Sequence, residues 1–312
     1  MQLYDYVKTE PCFTLQPQET NPRWLRYDVT FRTNHPNRYQ EDDIACGEYY
    51  VPTSANCSPL AILVHGLGAF GERNVAPCRI LARDLAKTGV ASFVLKLLVP
   101  VQAAEGSKRQ LSGPYIESWL ELFQALVTNI RQVIDWTKNR NELDAHRMVV
   151  IGISIGGMAS AIAMAVDKRI TAGVFIVTGG NMGKIIWSQN AGAQLNHKCT
   201  KAQCQEIYSH YPQYLADLKE KGIENVFPAR ECFLFDPLTF APYLCGRPTL
   251  MINAEWDNSV PKHSALEFWQ ECGQPRIVWL PADHQSIFLR HHSIRRETTI
   301  FLNSAFEIAD AD

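Results

Sequence analysis

The sequence has no excess of charge of either sign. Its 30 basic and 32 acidic side chains leave a net charge of -2 at pH 7. That balance lacks the electrostatic footprint of a nucleic-acid binder, and the absence of a basic run argues against a membrane-surface protein. No apolar stretch approaches the roughly 18 residues that a membrane-spanning helix needs. The first eight residues, Met1-Gln-Leu-Tyr-Asp-Tyr-Val-Lys8, lack a basic start followed by an apolar segment, so no secretory signal is expected. Internal repeats and low-complexity tracts are also missing, which excludes solenoids and disordered arrays. Cysteine is not scarce, but its 9 copies are odd in number and scattered. Without a secretory signal they read as reduced thiols, and the expected location is cytoplasmic.

What is present is a chain of 312 residues, 46% hydrophobic and 20% charged, long enough for one large α/β domain. Short apolar runs alternate with segments of helical period. Trp24 to Arg32 and Ile44 to Val51 read as early strands, followed by Pro59 to His65, Gly89 to Leu95, Arg147 to Ile151, Ala172 to Val177, Pro248 to Asn253 and Arg276 to Leu280. Helical spacing covers Asn74 to Lys87, Met158 to Val166, Pro261 to Cys272 and 285–306. It is clearest in Ile116, Trp119, Leu120, Phe123, Val127, Ile130 and Ile134. Strand alternating with helix implies a mostly parallel sheet with helices on both faces.

The stretch Gly152-Ile-Ser154-Ile-Gly156 follows a buried strand and opens a helix. That context gives the pattern meaning. A serine on a strained strand-to-helix turn presents its hydroxyl above the sheet, and glycine two residues before and after removes side chains that would strike the neighbouring turn. Gly157 and the alternating alanines from Ala159 to Ala165 let the next helix lie close to the sheet.

A serine needs a base to become a nucleophile. Of nine histidines, His284 stands out, because Leu280-Pro-Ala-Asp-His284 follows the last strand and opens the final helix. The base in turn needs a carboxylate to fix its tautomer. Asp257 ends the loop after the strand Pro248 to Asn253, and it lies between Ser154 and His284 in the chain. It is favoured over Glu255 two residues earlier. Asp283 adjoins His284 and should point elsewhere, and Asp236 reads as a turn residue. An oxyanion would need two backbone donors. The amide of Ile155 is one candidate. Leu67, in His65-Gly-Leu-Gly, is the first choice for the other, with Gly68 next, while His65 reads as a brace for that loop.

Taken together, His65-Gly-Leu-Gly, Gly152-Ile-Ser154-Ile-Gly156, Asp257 with Val260-Pro261, and Asp283-His284 resemble the α/β-hydrolase superfamily, in the order Ser, Asp, His that it uses. The resemblance is nearest to its esterases and to dienelactone-hydrolase-like members with a serine nucleophile. The chain departs from true dienelactone hydrolases, which carry cysteine at that position, and it lacks the His-Gly-Gly-Gly run of hormone-sensitive-lipase-like enzymes. The resemblance implies a sheet of about eight strands. It also implies Ser154, Asp257 and His284 as a catalytic triad, Leu67 and Ile155 as the oxyanion hole, and hydrolysis of a carboxylic ester through an acyl-enzyme with no cofactor. A thioesterase, acyltransferase or peptidase would share that triad, and a non-catalytic ligand-binding protein could share the fold.

Residues 180–240 interrupt the alternation within an otherwise single domain, where this superfamily often inserts a cap. They carry Trp187, Tyr208, Tyr211, Tyr214 and Phe227. A lid of this kind would favour a small to medium hydrophobic ester, with rates rising from acetyl to about butyryl or hexanoyl chains as each methylene is buried. His197, Cys199, Cys204 and His210 are metal-ligand types, but their spacing is not a recognised zinc pattern, so no metal is expected. The expected partner is a small-molecule ester, with no nucleic acid and no membrane span. The sequence leaves the oligomeric state open.

Overall fold

The computed structural model describes residues 4–8, 12–35, 44–54, 56–66, 72–97, 116–188 and 199–309. Among these residues, nine strands form one sheet. They are β1 (Phe13–Asn21), β2 (Trp24–Arg32), β3 (Ile44–Pro52), β4 (Ser58–Val64), β5 (Ala91–Leu95), β6 (Leu143–Ile153), β7 (Ile170–Ile176), β8 (Thr249–Ala254) and β9 (Arg276–Leu280). Across the sheet they run β1-β2-β3-β5-β4-β6-β7-β8-β9. Pairing is antiparallel from β1 to β5 and parallel from β5 to β9.

The helices are α1 (Glu72–Ala86), α2 (Ile116–Thr137), α3 (Ile155–Val166), α4 (Met182–Ile186), α5 (Lys201–Ser209), α6 (Tyr211–Lys221), α7 (Pro237–Phe240), α8 (Lys262–Glu271) and α9 (His291–Ala309). They cover both faces of the sheet. Within β4, Leu60, Ile62 and Val64 face the core shared with α2 and α3, while Ala61 and Leu63 face the core shared with α1 and α9. Both faces are buried, so the central strands read as continuous apolar runs. Trp119, Phe123, Val127, Ile130 and Ile134 form the buried stripe of α2, at the three- and four-residue spacing seen in the sequence.

The sequence reading begins the sheet at Trp24, and β1 is an addition to it. Its nine residues, FTLQPQETN, are mostly exposed, and Pro17 lies at a register shift between Pro17 and Glu19. Proline is tolerated there because β1 is an edge strand. Phe13 holds it in place by stacking on Phe31 at 4.2 Å and on Trp136 at 5.0 Å between ring centroids. The segment 285–306, expected as one helix, is a short 3-10 turn at Ser286–Arg290 followed by α9.

In the described part of 180–240, α5, α6 and the 3-10 turn at Glu231–Leu234 are joined by an inward-facing aromatic cluster. Tyr211 lies 4.4 Å and Tyr214 5.1 Å from Phe233 between centroids. Tyr208, Tyr211 and Tyr214 are therefore packing side chains, whereas Phe227 is 94% exposed. Asp236 is fully buried and ties the insertion to its base. It accepts the amides of Asn181 (2.9 Å), Met182 (2.6 Å) and Leu238 (3.0 Å) and the Tyr208 hydroxyl (3.1 Å).

Candidate active site

The carboxyl ends of β6, β7 and β8 meet where β6 gives way to α3. Ser154 sits between them with φ 55° and ψ -122°, in a region that L-residues rarely occupy. The surrounding chain enforces that angle. The Ser154 amide donates to the Ile176 carbonyl at 2.8 Å, and its own carbonyl accepts from Met158 at 2.9 Å, which starts α3. The two flanking glycines are required by close approach. A Cβ at Gly152 would lie 2.4 Å from the Gly156 oxygen, and one at Gly156 would lie 2.3 Å from the Val64 oxygen.

His284 reaches Ser154 from the loop after β9, with its Nε2 3.1 Å from the serine Oγ. Its Nδ1 lies 2.7 Å from Oδ2 of Asp257, in the loop after β8. An ionised carboxylate only accepts hydrogen bonds, so Nδ1 is the donor and the Nε2 lone pair faces the hydroxyl. The other oxygen of Asp257 accepts the amides of Ser259 (2.8 Å) and Val260 (2.7 Å), which fixes the carboxylate against rotation. Asp257 is buried, and His284 is mostly shielded from solvent.

Of the rival carboxylates, Glu255 is exposed, and Asp283 turns away to accept the amides of Gln285 and Ser286. Those two amides hold the Asp283 carboxyl below its ordinary range, in the role of a turn cap. Asp236 lies in the insertion. Burial pushes its carboxyl up to about 6, against the pull of its hydrogen-bond donors. The structure thus brings Ser154, Asp257 and His284 together, and Asp257 is the carboxylate bonded to the His284 ring.

The amide of Ile155 is the first of α3, directly beside Ser154 and at the positive end of that helix. Leu67 and its alternative Gly68 lie outside the described residues. The chain leading to them is placed by His65, whose Nε2 accepts the Leu97 amide at 3.0 Å and whose Nδ1 therefore donates to the Gly66 carbonyl at 2.8 Å. Gly66 lies so near that a Cβ there would sit 3.2 Å from that of Ser154.

The sequence reading missed the residues that support this site from below. Val177 has φ 44°, an outlier for a β-branched residue. Its neighbour Thr178 donates its amide to Asn253 Oδ1 at 3.0 Å and its hydroxyl to the Ile176 carbonyl at 3.0 Å. The available signal was a polar residue, Thr178 or Asn253, closing an otherwise apolar strand.

Among the described residues, no group of three or more His, Cys, Asp or Glu could hold a metal ion. Cys199 and Cys204 are free thiols, and His197 lies outside the described residues. No described helix is long and apolar enough to cross a membrane.

No family model matches the chain. Over 136 residues it is 29% identical to the quorum-quenching protein AidA of Acinetobacter baumannii (strain MDR-ZJ06), a match covering 43% of this chain and 40% of that protein. The chain thus spans about two fifths of the length of the curated relative it matches. Among solved structures, it is similar to an acetyl xylan esterase from Paenibacillus sp. R4, with a TM-score of 0.65 and 15% identity over 95% of this chain and 89% of that one. Acetyl xylan esterase 1 from Thermoanaerobacterium sp. JW/SL YS485 gives 0.60 and 15%, over 98% of both chains. A glucuronoyl esterase from Teredinibacter turnerae gives 0.57 and 13%, over 96% of this chain and 80% of that one. These likenesses show the fold, which is the α/β-hydrolase fold.

Proposed function

We propose that this chain of α/β-hydrolase fold is a serine carboxylic-ester hydrolase acting on small to medium hydrophobic esters. The observation that carries the proposal is the hydrogen-bonded series from Ser154 Oγ through His284 to Asp257, mounted on a strained strand-to-helix turn. In the proposed reaction Ser154 attacks the acyl carbonyl while His284 Nε2 takes its proton. Asp257 stays ionised, holds the tautomer and stabilises the imidazolium. The oxyanion is held by the amide of Ile155 and by that of Leu67. Collapse of the tetrahedral species breaks the ester C–O bond, and His284 returns the proton to the leaving alcohol. Water, deprotonated by His284, then releases the acid and restores Ser154.

In this reading residues 1–312 form a single domain and 180–240 act as a cap-like insertion. The Ser188 hydroxyl donates to the Ser259 carbonyl at 2.9 Å, which supports that role because it sets the end of α4 beside the Asp257 loop. All nine cysteines are free thiols, which fits a reducing, cytoplasmic setting. The test is turnover of p-nitrophenyl esters by the wild type and by Ser154→Ala. The variant should lose about 10⁴- to 10⁶-fold in kcat. A folded variant that keeps more than about a tenth of the activity, where the triad mechanism demands a far larger loss, would overturn the mechanism.

A further inference from the structure

The carbonyl of Ser154 and the amide of Ile155 belong to one peptide unit. That unit is planar and trans, so the two groups point in opposite directions. Whatever holds the Ser154 carbonyl therefore aims the Ile155 N–H. As the first amide of α3, this N–H has no carbonyl one turn earlier in the helix to bind, and it is the first of the two donors proposed for the oxyanion. The Met158 amide donates to the Ser154 carbonyl at 2.9 Å, and the Thr178 hydroxyl stands 3.4 Å from it. The same hydroxyl lies 3.0 Å from the Ile176 carbonyl, which accepts the Ser154 amide at 2.8 Å. One hydroxyl proton is thus shared between two carbonyls, and these are the two that fix the backbone of the strained serine.

Thr178 is fully buried, and its place is set from several sides. It follows Val177, whose φ of 44° is rare for a β-branched residue. Strain of this kind persists only where the surroundings impose it, and it clusters at functional sites. The Val177 amide donates to the Ile252 carbonyl at 2.8 Å, and the Thr178 amide donates to Asn253 Oδ1 at 3.0 Å. Both acceptors are on β8, so the strand that leads to the Asp257 loop also seats Thr178. From the opposite side α3 makes room. A Cβ at Gly157 would lie 1.9 Å from Thr178 Oγ1, so the notch left by that glycine holds the hydroxyl. Gly157 therefore has a reason to be glycine beyond the close approach of helix to sheet.

We propose that Thr178 is a positioning residue for the oxyanion donor Ile155. This rests on the hydrolase reading and adds to it a residue outside the Ser154–His284–Asp257 series. Thr178 acts through a peptide. Its hydroxyl holds the Ser154 carbonyl and so keeps the Ile155 N–H aimed at the developing oxyanion. It also polarises that peptide, because hydrogen bonds in a chain strengthen one another. The benefit appears where negative charge develops, so it falls on the transition state rather than on substrate binding. Removing an oxyanion donor outright costs about 10²- to 10³-fold in kcat in another protein, and loosening one from behind should cost about 10- to 100-fold.

The experiment measures kcat and KM for p-nitrophenyl butyrate in the wild type, Thr178→Val, Thr178→Ala and Thr178→Ser. The valine and alanine variants should lose about 10- to 100-fold in kcat while KM stays within about threefold. Thr178→Ser restores the O–H donor and should return kcat to within about threefold of the wild type. Thr178→Ala keeps the test informative where the methyl that replaces the hydroxyl in Thr178→Val prevents folding. A second readout is inhibition by a trifluoromethyl ketone, whose adduct with Ser154 places an oxyanion at the Ile155 amide. Its Ki should rise in the alanine variant by about the factor that kcat falls. A purely structural role would instead lower the fraction of chains that a fluorophosphonate labels, with a normal kcat per labelled chain. That outcome overturns the assignment, as does an unchanged kcat in either folded variant or an equal loss in Thr178→Ser. Failure of the hydrolase reading looks different, since the wild type itself would then neither turn over the ester nor take up a fluorophosphonate on Ser154.

Discussion

Replacing Asp257 by asparagine changes one atom's hydrogen-bonding sense at the buried end of the Ser154–His284–Asp257 series. One oxygen of Asp257 is committed to the Ser259 and Val260 amides at 2.8 and 2.7 Å. In the variant the amide oxygen keeps those two bonds, so the –NH₂ group faces Nδ1 of His284, where an acceptor stood at 2.7 Å. Two donors cannot face each other. The imidazole must place its proton on Nε2 and turn an N–H toward the Ser154 hydroxyl, which removes the base from the nucleophile. Loss of the correct tautomer in a triad of this kind costs about 10⁴ in kcat, a figure known from another protein, and 10² to 10⁴ is the range expected here. That corresponds to roughly 3 to 5.5 kcal/mol of transition-state stabilisation. The fold should lose only about 1 kcal/mol, because the loop keeps its bonds in neutral rather than charge-assisted form. The assay is steady-state hydrolysis of a p-nitrophenyl ester alongside thermal unfolding. Glu255→Gln, at an exposed position, serves as the control and should stay within about twofold. A mild Asp257→Asn with a damaging Glu255→Gln would move the acid of the series to Glu255.

Gly156→Ala forces a Cβ to 2.3 Å from the Val64 oxygen, so it should cost about 1 to 3 kcal/mol or more in urea unfolding and abolish ester turnover; wild-type stability would show that the turn is looser than described. Asp236→Asn leaves a buried side chain with one acceptor where two oxygens received four donors, and a loss of about 1 to 3 kcal/mol is expected by thermal melting; an unchanged melting temperature would mean that the insertion is held by its aromatic cluster alone. Burial opposes ionisation of Glu48 and Asp167, but Arg79, Tyr50 and Lys96 at the first and Arg169 and Arg131 at the second outweigh it and hold both carboxyls at about 2. Both bind protons more readily when unfolded, so their stabilisation is complete above about pH 5 and disappears as pH falls toward 2. Each contributes on the order of 2 to 3 kcal/mol at neutral pH. Urea midpoints measured from pH 7 to pH 3 should fall steeply in the wild type and less so in Glu48→Gln, and parallel curves would contradict the assignment.

How much of this was legible in the sequence depended on how strongly each residue is constrained. The central strands and α2 were readable because full burial on both faces leaves continuous apolar runs and an unbroken helical stripe. The edge strand β1 was not, because one face meets water and Pro17 erases the local propensity. Ser154 was visible through its glycines, whose absence of side chains has a direct cause in the 2.3 to 2.4 Å approaches at Gly152 and Gly156. Asp257 is favoured over Glu255 by its place in the chain order and in the loop, and the physical reason is visible only in three dimensions, where the Ser259 and Val260 amides hold Asp257 toward His284 while Glu255 is exposed. The aromatic residues of 180–240 suggested a lid, yet Tyr211 and Tyr214 are core side chains, because composition does not reveal which way a ring points. Val177, Thr178 and Asn253 carry no motif and act through backbone geometry.

The most direct test of the central claim is the stoichiometry and position of covalent labelling by a fluorophosphonate, read by intact mass and peptide mapping on the full chain. One label per chain is expected on the peptide that contains Ser154, with no label in Ser154→Ala and much slower labelling in Asp257→Asn. An unlabelled wild type, or a label on any other residue, would contradict it.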